Sequence, residues 1–206
     1  MTATTTPSPS SGTPKSSNSL PRLLLLLSAT TGLVDAASVL GLGKVFTANM
    51  TGNVVFLGFA AVGTPGFKVL PAVAALLAFM IGAWGAGRLA RAHAELPLRR
   101  WLLRAALIEG SLLLIAALIA LTIDVPMQAP ELAVLSVIVL TGFAMGLRNA
   151  TIRSLKVPDL TTTVLTLTIT GIAADQIGRR STNFLRRFRA VLSIFLGAAI
   201  GAALLR

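Results

Sequence analysis

Residues 69–87 read V-L-P-A-V-A-A-L-L-A-F-M-I-G-A-W-G-A-G, nineteen positions without a charged side chain. The hydrocarbon core of a bilayer is about 30 Å thick and takes about 20 apolar residues of helix to cross. This stretch is long enough to span, and the same pattern recurs on both sides of it. Residues 23–43 carry one charge, Asp35; residues 45–67 carry none, although their first half is polar; residues 105–123 carry only Glu109. Residues 132–147, 160–174 and 190–205 carry none. The chain has 206 residues, of which 54% are hydrophobic and 12% charged, against about 25% charged in soluble domains. Seven apolar runs in such a composition predict an all-α, polytopic membrane helix bundle.

Residues 1–19, M-T-A-T-T-T-P-S-P-S-S-G-T-P-K-S-S-N-S, are too polar to offset the entropy of ordering and are read as a disordered tail. Residues 20–206 are read as a single transmembrane domain. Arg22 followed by L-L-L-L-L-S-A-T-T-G-L-V also fits a signal peptide, but the repeat described next reuses the residues around Asp35, which favours their retention. The net charge is +11. No aromatic-basic platform accompanies the arginines, so they are read as membrane-flanking charges, with no nucleic acid as partner. There is no Cys, no Tyr and one His, His93. Disulfides, thiolate metal sites and cysteine nucleophiles are thereby excluded. No paired carboxylates or cofactor motif appear, so the expectation is a protein that is not an enzyme and uses neither cofactor nor metal.

Shifting the sequence by 114 superposes the first run on the fifth, the second on the sixth and the third on the seventh, leaving the fourth as a connector. Gly32-Leu33-x-Asp35-Ala36 falls on Gly146-Leu147-x-Asn149-Ala150, Thr47 on Thr161, and Ala83-x-x-x-Gly87 on Gly197-x-x-x-Gly201. The reading is a 3+1+3 internal repeat: repeat one 20–93, connector helix 101–124, repeat two 131–206. Charges bear on its sense. If the second and sixth runs enter and leave on the same side, five runs span. Fourteen of the eighteen basic residues then fall on one side and three on the other, with Arg148 inside the membrane. Seven full spans would spread them almost evenly, against the positive-inside rule. The second and sixth runs are therefore read as broken or re-entrant, tilted polar-faced spans being the alternative, and the halves as inverted. The N-terminus and both arginine-rich loops would face the cytoplasm.

The residues also carry a resemblance. G-L-V-D-A at 32–36, V-F-T-A-N-M-T-G-N at 45–53 and G-L-R-N-A-T-I-R at 146–153, followed by a Thr-rich stretch, resemble the YoaK-like family of bacterial multi-pass membrane proteins, a domain of unknown function. The likeness covers about residues 20–206 and implies a bacterial cytoplasmic (inner) membrane location and no substrate. The family commonly has Gln before the Asn-Ala pair, where this chain has Arg148.

The candidate site residues are the polar ones at membrane depth. Asp35 and Arg148 are charges that hydrocarbon makes expensive, so each should face a cavity or a partner. Being near-equivalents in the repeat, they are expected to pair across a central cavity. Thr47, Asn49, Thr51 and Asn53 cluster around Gly52 and are read as lining a path where amides and hydroxyls replace water around a solute. Thr161, Thr162, Thr163 and Thr166 are the matching set in the second half, and Asn149, which the repeat sets on Asp35, joins the candidates. The bland readings stand beside these: an ion pair that only holds the fold, and hydrogen bonds between helices worth about 0.6 kcal/mol each. Glu109, near the start of its run, is read as an interfacial residue. The small-residue faces suit close helix packing within the chain or in a homo-oligomer. The reading that follows is a small secondary transporter or channel for a polar solute, with a non-transporting membrane scaffold that binds a partner protein as the alternative.

Overall fold

A computed structural model describes residues 19–92, 98–155, 169–170 and 182–205. Residues 1–18 of the tail, His93, Thr161, Thr162, Thr163 and Thr166 lie outside the described residues, and so does nearly all of the sixth run. The described residues form six helices: α1 (Ser19–Gly41), α2 (Met50–Ala61), α3 (Val69–Ala92), α4 (Leu98–Ala120), α5 (Glu131–Ser154) and α6 (Thr182–Leu204). At 1.5 Å per residue the five long helices each run about 35 Å. Val69–Ala92, Arg99–Ala120, Glu131–Ser154 and Arg187–Leu204 are long and apolar enough to cross a membrane. The apolar part of α1, Leu25–Gly41, is shorter. This is a helical membrane bundle.

The sequence punctuates these helices where backbone chemistry requires it. Pro71 sits in the first turn of α3, where its missing N–H costs nothing. Just past α1, Gly43 takes φ +85 and turns the chain out of the helix. The connector helix starts earlier and stops earlier than residues 101–124. Thr122 and Ile123 close a turn on Ile119 and Ala120, and Asp124 then pairs with Ala129 through both backbone bonds.

The helix directions follow from contacts. Gly142 lies against Ala75 and Gly146 against Phe79, so α3 and α5 run parallel. Gly197 lies against Ala29 and Gly201 against Leu33, so α1 and α6 also run parallel. Arg148 reaches Leu27, whereas Gln128, just before α5, reaches Gly41; α1 and α5 are therefore antiparallel. In both parallel pairs the backbones touch. A Cβ on Gly32 would overlap the Ile194 carbonyl oxygen, and one on Gly146 the Phe79 carbonyl oxygen. Small residues permit such approach, which is how helices associate where lipid offers no hydrophobic driving force.

Segment two is broken. Residues 42–49 are not helical, and α2, with 12 residues, is about 18 Å long, too short for the bilayer core. The segment starts and finishes at one end of the bundle, since the Lys44 ammonium sits over the Phe67 ring at 4.8 Å. Charge is sorted along the bundle. Arg22, Arg88, Arg91, Arg99, Arg100, Arg104, Arg153, Arg187 and Arg189 lie at the end where α1 begins; Lys44, Lys68, Asp124 and Glu131 lie at the other.

Candidate functional site at the broken second segment

A chain entering the membrane without helical bonds carries N–H and C=O groups that lipid cannot satisfy. Two side chains meet that need here. Asp35, on α1, accepts hydrogen bonds through Oδ1 from the Ala48 N–H at 2.8 Å and the Thr47 N–H at 3.2 Å. Asn53, in the first turn of α2, is fully buried. Its Nδ2 donates to the Phe46 carbonyl at 2.6 Å, and its Oδ1 accepts the Phe46 N–H at 2.8 Å. One amide thus pairs both polar groups of one backbone residue, as a neighbouring strand would. Phe46 stacks on Phe56 of α2 at 5.4 Å, an apolar contact that adds to the anchoring of the extended stretch on that helix.

Beside this stretch lies a cavity of about 240 Å³ between α1, α4 and α5. Leu33, Ala117 and Val137 are among its aliphatic walls, and Ser38, Thr47 and Thr141 contribute its hydroxyl-bearing side chains. Among the described residues no charged side chain lines it. Ser38 and Thr141 donate to their own helices, to the Asp35 and Val137 carbonyls. Thr47 is fully buried and its hydroxyl has no partner among the described residues.

Toward the arginine-rich end the cavity gives way to packed side chains and then to Arg148, which is 4% exposed. Its Nε donates to Glu109 of α4 at 2.7 Å, and its Nη2 forms a second, short contact to the same oxygen. Its Nη1 donates to the Thr30 hydroxyl at 2.9 Å and to the Thr31 hydroxyl and Leu27 carbonyl at 3.2 Å. One guanidinium thereby joins α4, α5 and α1.

The expected pairing of Asp35 with Arg148 is corrected by this geometry. Each lies six residues before the end of its helix, at Gly41 and Ser154. The helices are antiparallel, so equal distances from their ends put the two charges at opposite depths. Glu109, read from sequence as interfacial, is the partner of Arg148. The sequence signal was present but shared: Asp35 and Glu109 are each a lone acid in an otherwise uncharged run, and either could answer a lone arginine. Thr30 and Thr31 carried no such signal, because hydroxyls are ordinary in membrane helices.

The other sequence candidates divide by position. Of those among the described residues, only Thr47 lines the cavity. Asn49 and Thr51 are exposed, and Asn49 makes no side-chain cap bond to α2. Asn149 donates to the Met145 carbonyl of its own helix at 2.9 Å.

The chain matches the family described as "Protein of unknown function (DUF1275)" over residues 23–206. It is 30% identical over 190 residues to the UPF0700 transmembrane protein YoaK of Bacillus subtilis (strain 168), covering 87% of this chain and 81% of that protein. No solved structure matches.

Proposed function

We propose that the chain, which belongs to the DUF1275 family of proteins of unknown function, is a small transporter or channel that carries a polar, uncharged solute along the seam between two helix pairs. The observation that carries this reading is non-helical backbone held at membrane depth beside the cavity. Such backbone is tolerated where protein covers it or where it borders a solute path, and secondary transporters place their sites at broken helices of this kind. Asp35 already accepts the N–H groups of the entering stretch, so they are not free for an anion. Among the described residues the cavity wall offers hydroxyls and no counter-charge, which suits a neutral polar molecule.

The inverted 3+1+3 repeat belongs to the same proposal, and the close contacts support it. Gly32 meets Ile194 as Gly146 meets Phe79, and Gly197 meets Ala29 as Gly82 meets Phe143. Gly32 and Gly146, like Ala29 and Phe143, stand 114 apart; Phe79 and Ile194, like Gly82 and Gly197, stand 115 apart. The pair α1·α6 is then the counterpart of α5·α3, and α4 is the connector. The sorted arginines support an orientation with their end in the cytoplasm, in a bacterial cytoplasmic membrane. The protein would act on its solute without covalent chemistry, with the bilayer and the solute as its partners. The scaffold reading loses ground at one of the two small-residue faces, where Gly197 and Gly201 are occupied within the chain against α1, while an added Cβ at Gly87 meets nothing within 4 Å among the described residues and leaves that face for a homo-oligomer.

The chain lacks Cys, so a single cysteine reports cleanly. Ala37, which lines the cavity, is replaced by Cys and exposed to a membrane-impermeant thiol reagent in right-side-out and in inside-out vesicles. Transport or conduction predicts labelling from both sides. Labelling from one side only, or from neither, would leave the scaffold reading standing.

A further inference from the structure

Motion in this bundle is constrained by where its backbones touch. α1 with α6, and α3 with α5, meet carbonyl against glycine, and contacts that close leave no room for sliding. α4 packs on α5 and shares a core with it through Ala116, Val134 and Val137. The movable boundary is therefore the seam between α1·α6 and α3·α4·α5, which side chains fill.

Along that seam the occupants follow an order. At the end near Gly41, Gln128 Nε2 donates to the Gly41 carbonyl at 2.9 Å. The cavity follows, bordered by Ser38, Thr47 and Thr141. Next, Ala144 and Met145, both fully buried, pack with Val34, Leu112 and Leu113 and close it. One turn further toward the arginine-rich end, Arg148 reaches across to Thr30 and Thr31.

We propose that the Arg148 cluster is the gate of the seam at its arginine-rich end, and that this structure holds that gate shut. The inference rests on the transport reading. Its chemical basis is the division of the guanidinium's partners. Glu109 lies on α4, on the same side of the seam as Arg148, whereas the Thr30 and Thr31 hydroxyls and the Leu27 carbonyl lie on α1, across it. When the seam opens, Arg148 leaves α1 and keeps its counter-ion. Only hydrogen bonds to neutral groups are given up, and incoming water or solute can replace them. Had Glu109 been on α1, opening would strand two buried charges, which proteins resist strongly. The ion pair makes the gate portable, and the threonines make it releasable.

The test uses full-length protein carrying Ala37→Cys in inside-out and right-side-out vesicles, with an impermeant maleimide as probe. Thr30→Val with Thr31→Val removes both hydroxyl acceptors, nearly preserves shape and leaves the ion pair intact. Labelling from the arginine-rich side should rise about tenfold, the scale expected when a tie to a charged group is lost, with no rise from the other side. Glu109→Gln with Arg148→Gln removes the charges together and should give the same asymmetry, so the gate stays testable if the valine variant does not fold. Unchanged labelling in folded protein, or an equal rise from both sides, overturns the gate. If the parent protein labels from both sides while the variants change nothing, the gate falls and transport stands. If the parent labels from one side only and the variants open the arginine-rich side, the closure at Arg148 stands and the transport reading falls.

Discussion

Asn53→Ala is the most incisive perturbation of the broken segment. In the native chain the Asn53 amide pairs both the N–H and the C=O of Phe46 at hydrogen-bond distance. The side chain is fully buried, so water cannot take its place. Alanine would leave two backbone groups without partners. Each such loss costs about 1–3 kcal/mol, so the variant should lose about 2–6 kcal/mol, a large share of the roughly 5–15 kcal/mol that holds a typical domain. Asn53→Asp should do no better. One carboxylate oxygen can still accept the Phe46 N–H, but the other replaces the amide donor and faces the Phe46 carbonyl with like polarity. Asn49→Ala, at an exposed position without a cap bond, should stay within about 0.5 kcal/mol of the parent. The assay is unfolding in mixed micelles by heat and by SDS titration, with the three variants side by side. If Asn53→Ala matches Asn49→Ala within about 0.5 kcal/mol, the extended stretch does not depend on this amide and the account of the broken segment is wrong.

Three further outcomes are expected. Glu109→Gln and Arg148→Gln should each cost about 3–5 kcal/mol, with the double variant recovering part of that loss; Asp35→Asn and Arg148→Gln should instead add independently, and coupling between them would contradict the depths assigned here. Gly32→Leu and Gly146→Leu should each force a helix pair apart and lower the melting temperature by the equivalent of about 1–3 kcal/mol or more, whereas Gly58→Ala, where an added Cβ meets nothing within 4 Å, should be neutral or stabilising by up to about 1 kcal/mol. Single cysteines at Lys44 and Thr64 should label from one side of the membrane and one at Ala92 from the other; labelling of Lys44→Cys and Thr64→Cys from opposite sides would make α2 a full span.

Membrane residence, helical class and the existence of the described helices were legible in the sequence, because hydrocarbon thickness and the cost of unpaired backbone act on each stretch locally, whereas several helix ends run four to eight residues away from the ends of the apolar runs. A run such as residues 69–87 needs no neighbour to be identified as a span. The break in segment two was also visible, since Thr47, Asn49, Thr51, Gly52 and Asn53 are poor material for a lipid-facing helix. What these polar groups do was not visible. Asp35 and Asn53 were read as facing a solute, and they hold backbone instead. A carboxylate or amide satisfies a peptide group and a solute with the same atoms, and only the path of the chain decides which comes within reach. Ion pairing was undecidable for the same reason. Three charges, Asp35, Glu109 and Arg148, sit in apolar runs, and sequence spacing alone leaves each of the two acids eligible to meet the arginine. Helix direction assigned them: antiparallel packing carried Asp35 to one depth and brought Glu109, on the neighbouring helix, to the other, where the guanidinium could reach across the seam to α1.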